Sequence, residues 1–447
     1  MMRKLKLVVA LIALHGAGAA AAADLLSTYR DAVAADAQYA AARATFVASR
    51  ERVVQAKAGL LPQVTANANL NYTSLDVNFI GTAAAAPGQR DFGTRGYGVQ
   101  LSQPLYRPQN WDTYEQGKLQ SLSAEIQLNA AAQDLMVRVS QAYFDVLVAQ
   151  SNLTFIRAQK TAIAEQLAQA KRNFVVGTAT ITDTNDAQAR YDLATAQEVV
   201  AVNDLEVRNR ALAAITGKAP GPLSAPAESI VLTPPSPADM TAWVAQARVS
   251  NLQVELSRAS VEIAAREVRK QRNGHLPTVD AVASFNNNRA NSSTFGFGSD
   301  VQQTLIGIQV NLPLYLGGAV DSRIREAAAI RTRAEQDLEQ ARRTAVLGTQ
   351  QAFLGVTSGL AQGKALEQAL QSSLVSLEST KLGRDVGVRT SVDVLNAQQQ
   401  VANARRDLAR VRYETIVAQL RLRQASGRLT LGDLEAINRM LTVESRE

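Results

Sequence analysis

The sequence predicts a mixed α and β membrane protein in which one chain contributes long α-helices and four β-strands. Three observations support this fold class. Two proline-free stretches, residues 109–219 and 314–447, carry helical hydrophobic periodicity. Two shorter segments change to the two-residue period of strands. Glycine and proline motifs return in the same order at a spacing of about 210 residues, which indicates an internal two-fold sequence repeat.

The N-terminus is predicted to be a cleaved signal peptide over residues 1–23. Three basic residues precede an apolar run from Leu7 to Leu14, and the small residues up to Ala23 suit signal peptidase. The alternative is an uncleaved anchor, but the run is shorter than the roughly 20 residues of a membrane-spanning helix. Cleavage lowers the net charge from +7 to +4. The remaining charges alternate along helices, which argues against a nucleic-acid partner.

The two proline-free stretches each contain a coiled-coil seam. Apolar positions step by four and three residues, as in a heptad repeat. In the first stretch these positions are Leu128, Ala132, Leu135, Val139, Ala142, Val146, Ala149, Leu153 and Ile156. In the second they are Ala397, Val401, Ala404, Leu408, Val411, Thr415, Ala418 and Leu422. Small residues dominate both seams, so the helices can approach closely. A helix from Asp112 to Val175 would be roughly 95 Å long.

Each repeat also contains a predicted β-hairpin, at about 63–105 and about 278–313. Over residues 64–73 apolar side chains alternate with threonine and asparagine, so the strand has one apolar and one polar face. The strand lengths suit a tilted transmembrane β-strand, although a soluble hairpin domain would give the same pattern. Loops rich in glycine, asparagine and serine are expected over residues 76–94 and 286–300.

The number of strands separates these two alternatives. Four strands cannot close a barrel, because the smallest membrane barrels have eight strands and an open edge is not tolerated in lipid. A membrane-spanning form must therefore be an oligomer, with eight strands from two copies or twelve from three. Both hairpins are entered from a helix and left into a helix, so all the long helices lie on one side. Export and β-strands together indicate the outer membrane of a Gram-negative bacterium, with the helices in the periplasm.

The chain resembles the TolC family of outer-membrane exit ducts. The motif Val-Gly-Val-Arg-Thr-Ser-Val-Asp-Val-Leu-Asn-Ala-Gln over residues 386–398 and its partner in the first repeat carry the resemblance. The resemblance implies a homotrimer, whose 12-stranded transmembrane β-barrel is continuous with a long α-helical coiled-coil barrel. The implied function is passive conduction of substrate as the outer-membrane channel of a tripartite efflux or type I secretion system. The implied partners are a periplasmic adaptor (membrane fusion) protein, an inner-membrane ABC, RND or MFS-type transporter, and outer-membrane lipid.

The expected domain organisation follows the repeat. The segments are the first repeat (24–217), a proline-rich linker (218–239), the second repeat (240–427) and a C-terminal equatorial segment (428–447). The first repeat includes a first tip turn at about 176–183, and the second repeat includes a second tip turn at about 386–393. These two turns connect the long helices.

The tip turns contain the candidate functional residues. Helix capping is one explanation of their sequence, with Gly177 and Gly387 ending one helix and Asp183 and Asp393 lying in the first turn of the next. A threefold axis would in addition bring three copies of Asp393 together in a ring that attracts cations. By resemblance, Gly177 and Gly387 mark the tip turns where the adaptor docks.

The resemblance also implies a periplasmic gate. The implied constriction contains Asp393 and Asn396. Four residues are implied to form the closed-state links: Arg389, Arg384, Thr182 and Asp183. Asn396 stands where the family often has a second ring of aspartates, and Arg384 stands where a tyrosine is common. A weaker cation block and a differently latched gate are therefore expected.

An enzyme is not predicted. The chain lacks cysteine, and its two histidines are His15 in the signal peptide and His275 beside Pro277. Neither a phosphate-binding glycine loop nor a Walker lysine is present. No cofactor and no metal site are expected, apart from the possible cation block at Asp393. The rival hypothesis is a non-conducting periplasmic coiled-coil spacer or adaptor protein, which explains the seams but not the apolar hairpin faces.

Overall fold

A computed structural model of the chain describes residues 23–78, 88–178, 180–225, 232–293 and 297–441. The elements in chain order are α1 (Leu25–Ala35), α2 (Ala37–Ala58), β1 (Gln63–Val77), β2 (Gly88–Tyr106), α3 (Pro108–Val175), α4 (Ile181–Thr216), α5 (Met240–Ser250), α6 (Leu252–Arg272), β3 (Thr278–Ala290), β4 (Ser299–Asn311), α7 (Ala319–Asp385), α8 (Ser391–Ala425) and α9 (Leu431–Leu441). A 3₁₀ turn, Asn273–His275, precedes β3. Parts of the predicted signal peptide (1–22), linker (226–231) and C-terminal segment (442–447) lie outside the described residues.

The chain divides into two compact units. The first contains the described residues up to 43, those between 127 and 255 and those from 341 onward. These described residues form helices, their connections and one isolated β-bridge. The second contains residues 44–126 and 256–340, which include all four strands. Across the described residues, no helix has both the length and the hydropathy required to cross a membrane.

The second unit contains a four-stranded antiparallel sheet in the order β1-β2-β3-β4. The prediction of four strands per chain is therefore confirmed. Val64, Leu101, Ala283 and Ile306 lie in one row across the sheet, on the face that the alternation predicts to be apolar. This face is open to solvent in the single chain: Ile306 is 83% exposed and Leu70, on the same face of β1, 84%.

The opposite face of the sheet is lined by amide side chains that lie over glycines. Gly98 lies between Asn67 and Asn286 in the pairing register, and Gly96 lies between Asn69 and Asn288. A Cβ atom at either glycine would overlap the side-chain oxygen of an asparagine on β3. The glycines therefore provide the space in which the neighbouring amides rest.

The strands are longer than the sequence analysis predicts. The loops expected at 76–94 and 286–300 are wrong at their ends, because β2 already begins at Gly88 and β3 continues to Ala290. The added residues are mostly polar or glycine, and Arg289 pairs with both Arg95 and Asp300 in the register. Ladder hydrogen bonds continue there without the apolar alternation that signals a strand.

An ion pair joins the two hairpins where β2 ends. The pairing register shifts between Pro104 and Tyr106, which is typical of a β-bulge. Arg107 follows the bulge and donates from Nε to Asp280 Oδ1 (2.7 Å) and from Nη2 to Asp280 Oδ2 (2.6 Å). Asp280, on β3, is buried. This bidentate contact connects the end of β2 to β3.

The helices of the first unit pack along the predicted seams. None of the seam residues is exposed, and those of α8 include Val401, Leu408 and Leu422, all less than 10% exposed. A larger core contains side chains from α1, α3, α4 and α9, namely Leu25, Leu135, Tyr143, Leu212 and Leu434. α3 begins at Pro108, one turn before the predicted Asp112, because proline is favoured at the first helical position.

Candidate functional site at the helical tips

The first tip turn ends α3 with a Schellman motif. Gly177 has a φ of +78°, the left-handed conformation that glycine adopts without a steric penalty. Its N–H donates to the carbonyl of Phe174 (3.0 Å), and the N–H of Thr178 donates to the carbonyl of Asn173 (2.9 Å). These two bonds satisfy carbonyls that a helix end otherwise leaves without partners.

The second tip turn ends α7 in the same way. Gly387 has a φ of +81°, its N–H donates to the carbonyl of Arg384 (3.0 Å), and the N–H of Val388 donates to Gly383 (2.8 Å). The N–H of Arg389 also donates to the Gly383 carbonyl (3.0 Å). Both predicted tip glycines therefore perform the same structural role, and both are open to solvent.

Each following helix starts with a capping box. Thr180 caps α4, where its N–H donates to Asp183 Oδ2 (2.9 Å) and its hydroxyl accepts from the Asp183 N–H (3.2 Å). Thr390 and Asp393 repeat the arrangement at the start of α8, at 2.8 and 3.2 Å. The predicted capping is confirmed at both tips, where one carboxylate oxygen of each aspartate is engaged locally.

Both capping aspartates have depressed pKa values. Hydrogen bonds from the backbone and the side chain of Thr180 lower the pKa of Asp183. The same two bonds from Thr390 lower the pKa of Asp393, and the positive charge of Arg389 lowers it further. Because a lowered carboxyl pKa favours the charged form, both aspartates are anionic at neutral pH.

The two tip arginines occupy different environments. Arg384 lies in the last turn of α7 and donates from Nη2 to the neighbouring Asp385 (2.7 Å). Arg389 lies in the turn, with its side chain over Gly383 so closely that a Cβ there would be 2.7 Å from Arg389 Cγ. Among the described residues, no hydrogen bond or ion pair joins Arg389 to Thr182 or Asp183 within this single chain. The expected closed-state links stay a prediction.

The two residues of the predicted constriction follow each other along α8. Asn396 lies three residues after Asp393, so the two side chains share one side of the helix. Asn396 is exposed, whereas the intervening Leu395 is 7% exposed and packs with Ile163 and Ala194 of α3 and α4. This apolar contact holds the start of α8 against the first pair of helices.

A groove next to the first tip turn is lined by Asp183, Asn173 and Ile163 together with Val392 and Leu395 of α8. Leu395 and Gly383 are not among the site residues predicted from the sequence. The apolar pair Val394-Leu395 is a signal that could identify Leu395. Gly383 has no such signal, because Asn173 and not a glycine stands 210 residues before it.

Comparison with known proteins gives a consistent result. A family model described as "Outer membrane efflux protein" matches residues 28–218 and 243–428. The outer membrane protein TolC of Vibrio cholerae is 33% identical over 427 residues, covering 95% of this chain and 95% of that protein. The proteases secretion protein PrtF of Dickeya chrysanthemi is 30% identical over 441 residues, covering 97% and 94%.

A solved structure shares the fold at lower sequence identity. The crystal structure of the Campylobacter jejuni CmeC outer membrane channel matches with a TM-score of 0.77 at 16% identity. The match covers 94% of this chain and 89% of that one. Similarity therefore extends over nearly the full length of both chains.

Proposed function

We propose that this chain, which belongs to the family of outer membrane efflux proteins, is the outer-membrane channel of a tripartite efflux or type I secretion system in a Gram-negative bacterium. Substrate passes through it passively, from an inner-membrane transporter and a periplasmic adaptor to the outside. The family consists of channel proteins rather than enzymes. Energy is therefore consumed by the transporter.

One observation carries this proposal: the sheet has an apolar face that is exposed in the single chain and two edge strands, β1 and β4. Lipid does not tolerate open edges, so β4 of one copy pairs with β1 of the next. Three copies give a 12-stranded barrel, as in the family resemblance, with Ile306 and Leu70 toward lipid and the asparagine face toward the lumen. The helices form a coiled-coil barrel in the periplasm.

The internal duplication is part of the proposal. The family model matches this chain in two successive segments, 28–218 and 243–428, which supports one repeat on each side of the linker at 218–239. The equivalent Schellman motifs and capping boxes at the two tip turns support it as well. A signal peptide at the N-terminus directs export before assembly.

The gate is proposed to lie at the tip turns. Asp393 and Asn396 form the constriction, and Arg389, with a lesser part for Arg384, links to Thr182 and Asp183 of an adjacent protomer. The exposure of Arg389 supports its role, while the pairing of Arg384 with Asp385 supports the lesser part. An adaptor docked on the turns at Gly177 and Gly387 opens the gate if it contacts the open state more favourably than the closed state.

Insertion and conduction test the proposal directly. Protein purified from outer membranes is expected to be a trimer and to give single-channel currents in planar bilayers. A soluble periplasmic protein without conductance would favour the spacer or adaptor alternative. Ile306→Lys, on the lipid face, is expected to impair insertion by about 2–4 kcal/mol, and Gln303→Lys, on the other face of β4, to insert normally. Equal behaviour of these two variants would contradict the face assignment.

Two pairs of variants test the gate. Arg389→Ser is expected to raise conductance more than Arg384→Ser, and no gain from Arg389→Ser would count against the latch. Asp393→Ala is expected to abolish block by divalent cations, while Asp183→Ala leaves it intact. Both aspartates cap a helix with the same geometry, so Asp393→Ala and Asp183→Ala each remove one helix cap. An equal change in block in both variants would exclude the Asp393 ring.

A further inference from the structure

Ala23, the residue at which the signal peptide is predicted to end, is held in the folded first unit. It forms a parallel β-bridge with Leu223 of the linker. Its N–H donates to the carbonyl of Pro222 (2.7 Å), and its carbonyl accepts from the N–H of Ser224 (3.1 Å). Ala23 therefore forms backbone hydrogen bonds on both sides, as a residue inside a small sheet does.

A buried tyrosine also contacts this residue. The hydroxyl of Tyr143 lies 3.0 Å from the Ala23 carbonyl and 2.7 Å from the Ser224 carbonyl, so one phenol bridges the two paired segments. Tyr143 is fully buried in the core beside Leu25. Burial raises the pKa of Tyr143, which keeps its hydroxyl protonated as a donor. Ala23 thus contributes an acceptor at the edge of the main core.

The next residue, Asp24, is the N-cap of α1, and both of its carboxylate oxygens accept hydrogen bonds. Asp24 caps the helix by accepting from the Ser27 N–H (2.7 Å), and it accepts from Asn438 Nδ2 of α9 (2.8 Å). Cleavage directly before Asp24 would remove all three Ala23 hydrogen bonds. It would also place a new α-ammonium at the N-terminus of α1, where the helix dipole disfavours positive charge.

We propose that signal peptidase cuts on the N-terminal side of Ala23, so that the mature protein keeps this residue. The Ala22–Ala23 bond meets the requirement, because Ala20 and Ala22 then supply the small side chains at the −3 and −1 positions. Water splits this peptide bond, which leaves a carboxylate on Ala22 and an α-ammonium on Ala23. The ammonium takes the place of the Ala23 N–H, which donates to the Pro222 carbonyl at 2.7 Å, and its charge strengthens that hydrogen bond.

This inference rests on the export required by the proposed function, and it moves the predicted cleavage site by at least one residue. N-terminal sequencing and intact-mass measurement of the protein purified from outer membranes test it. The expected N-terminus is Ala23 or an earlier alanine of the run. An N-terminus at Asp24 or beyond, in a protein that still forms trimers, would overturn the cleavage site alone. An uncleaved chain beginning at Met1 would overturn both the site and the predicted export signal.

Two matched aspartate variants provide a second measurement that does not depend on folding. For a cut at Ala22–Ala23, Ala23→Asp changes the +1 position and is expected to be processed normally. Ala22→Asp then changes the −1 position and is expected to lose the Ala23 terminus. Normal processing of both variants indicates an earlier cut and also supports retention of Ala23. Precursor accumulation for Ala23→Asp with normal processing of Ala22→Asp would overturn the proposal.

Discussion

The ion pair between Asp36 and Arg138 gives a quantitative test of the first unit. Arg138 donates from Nη1 and Nη2 to the two oxygens of Asp36 (2.9 and 3.1 Å), and its Nε donates to Asp134 (2.7 Å). Asp36 is 6% exposed and also accepts from the Tyr39 N–H at the start of α2 (2.7 Å). One carboxylate therefore connects α3 with the junction of α1 and α2.

Asp36→Asn keeps the side-chain shape and one acceptor for the Tyr39 N–H, but it removes the charge. A hydrogen bond to a charged group contributes about 1.5–3 kcal/mol, and loss of one partner of a buried pair costs more. Since Arg138 is partly exposed and keeps Asp134, the lower part of this range applies. We expect Asp36→Asn to lower the free energy of unfolding by about 2 kcal/mol. If the contact is absent from the unfolding transition state, this corresponds to a roughly 30-fold faster unfolding rate.

The assay is a double-mutant cycle on the rate of unfolding in guanidinium chloride, followed by far-UV circular dichroism. Asp36→Asn, Arg138→Gln and the double variant are compared with the wild type. A coupling energy near zero would refute the reasoning, because additive effects mean that the two residues act independently.

The pH dependence of the same variant has a defined sign. Hydrogen bonds from Arg138 hold the pKa of Asp36 below its ordinary value in the folded protein. A depressed carboxyl pKa contributes stability that is complete above the unfolded value of about 3.9 and is lost as the pH falls through the folded value. The difference between wild type and Asp36→Asn is therefore expected to be constant from neutral pH to about pH 5 and to shrink below about pH 4. A difference that stays unchanged in acid would contradict this assignment.

Three further predictions follow from single contacts. Gly427→Ala is expected to be much more destabilising than Gly387→Ala in thermal unfolding. Both glycines have a positive φ, a conformation that costs alanine about 1 kcal/mol, but only at Gly427 would a Cβ collide with a backbone carbonyl. Asp280→Asn is expected to lower the thermal stability of the protein by about 2 kcal/mol, whereas Asp300→Asn, in an exposed 3.9 Å pair, has an effect within about 0.5 kcal/mol. The divalent block proposed at Asp393 is expected to weaken on acidification, because protonation removes the negative charge that attracts the cation, although hydrogen bonds from Thr390 lower the pKa of each Asp393; a block that stays unchanged down to about pH 3 would disprove its assignment to this residue.

Local patterns in the sequence predict much of this structure. The alternation from Val64 to Tyr72 predicts a strand with one apolar face, and the structure has it. The pairs Thr180–Asp183 and Thr390–Asp393 predict capping boxes because the partners are three residues apart. Interactions between residues three or four positions apart depend on helix or strand geometry alone, so they can be predicted from the sequence.

Contacts between segments that are distant in the sequence cannot be predicted in the same way. Arg138 meets Asp36 across 102 residues, and nothing in either local pattern selects that partner. The strand ends near Arg289 are determined by ladder hydrogen bonds, since polar residues occupy both faces there. The bridge at Ala23 depends on where the linker returns, which an alanine run does not indicate. At the tips, the local caps were predictable, and the packing of Arg389 on Gly383 was not.

The glycines of the sheet also affect how cargo moves. In the proposed barrel, Gly96 and Gly98 leave space that the amides of the flanking asparagines occupy, so amide groups line this part of the lumen wall. Its rows of amides, such as Asn67 and Asn286, carry no net charge and offer both donors and acceptors. A polar cargo exchanges one hydrogen-bond partner for an equivalent one as it advances, so its free energy changes little along this part of the lumen. Such a wall binds polar cargo with similar strength at each position. Discrimination among substrates is therefore left to other parts of the assembly.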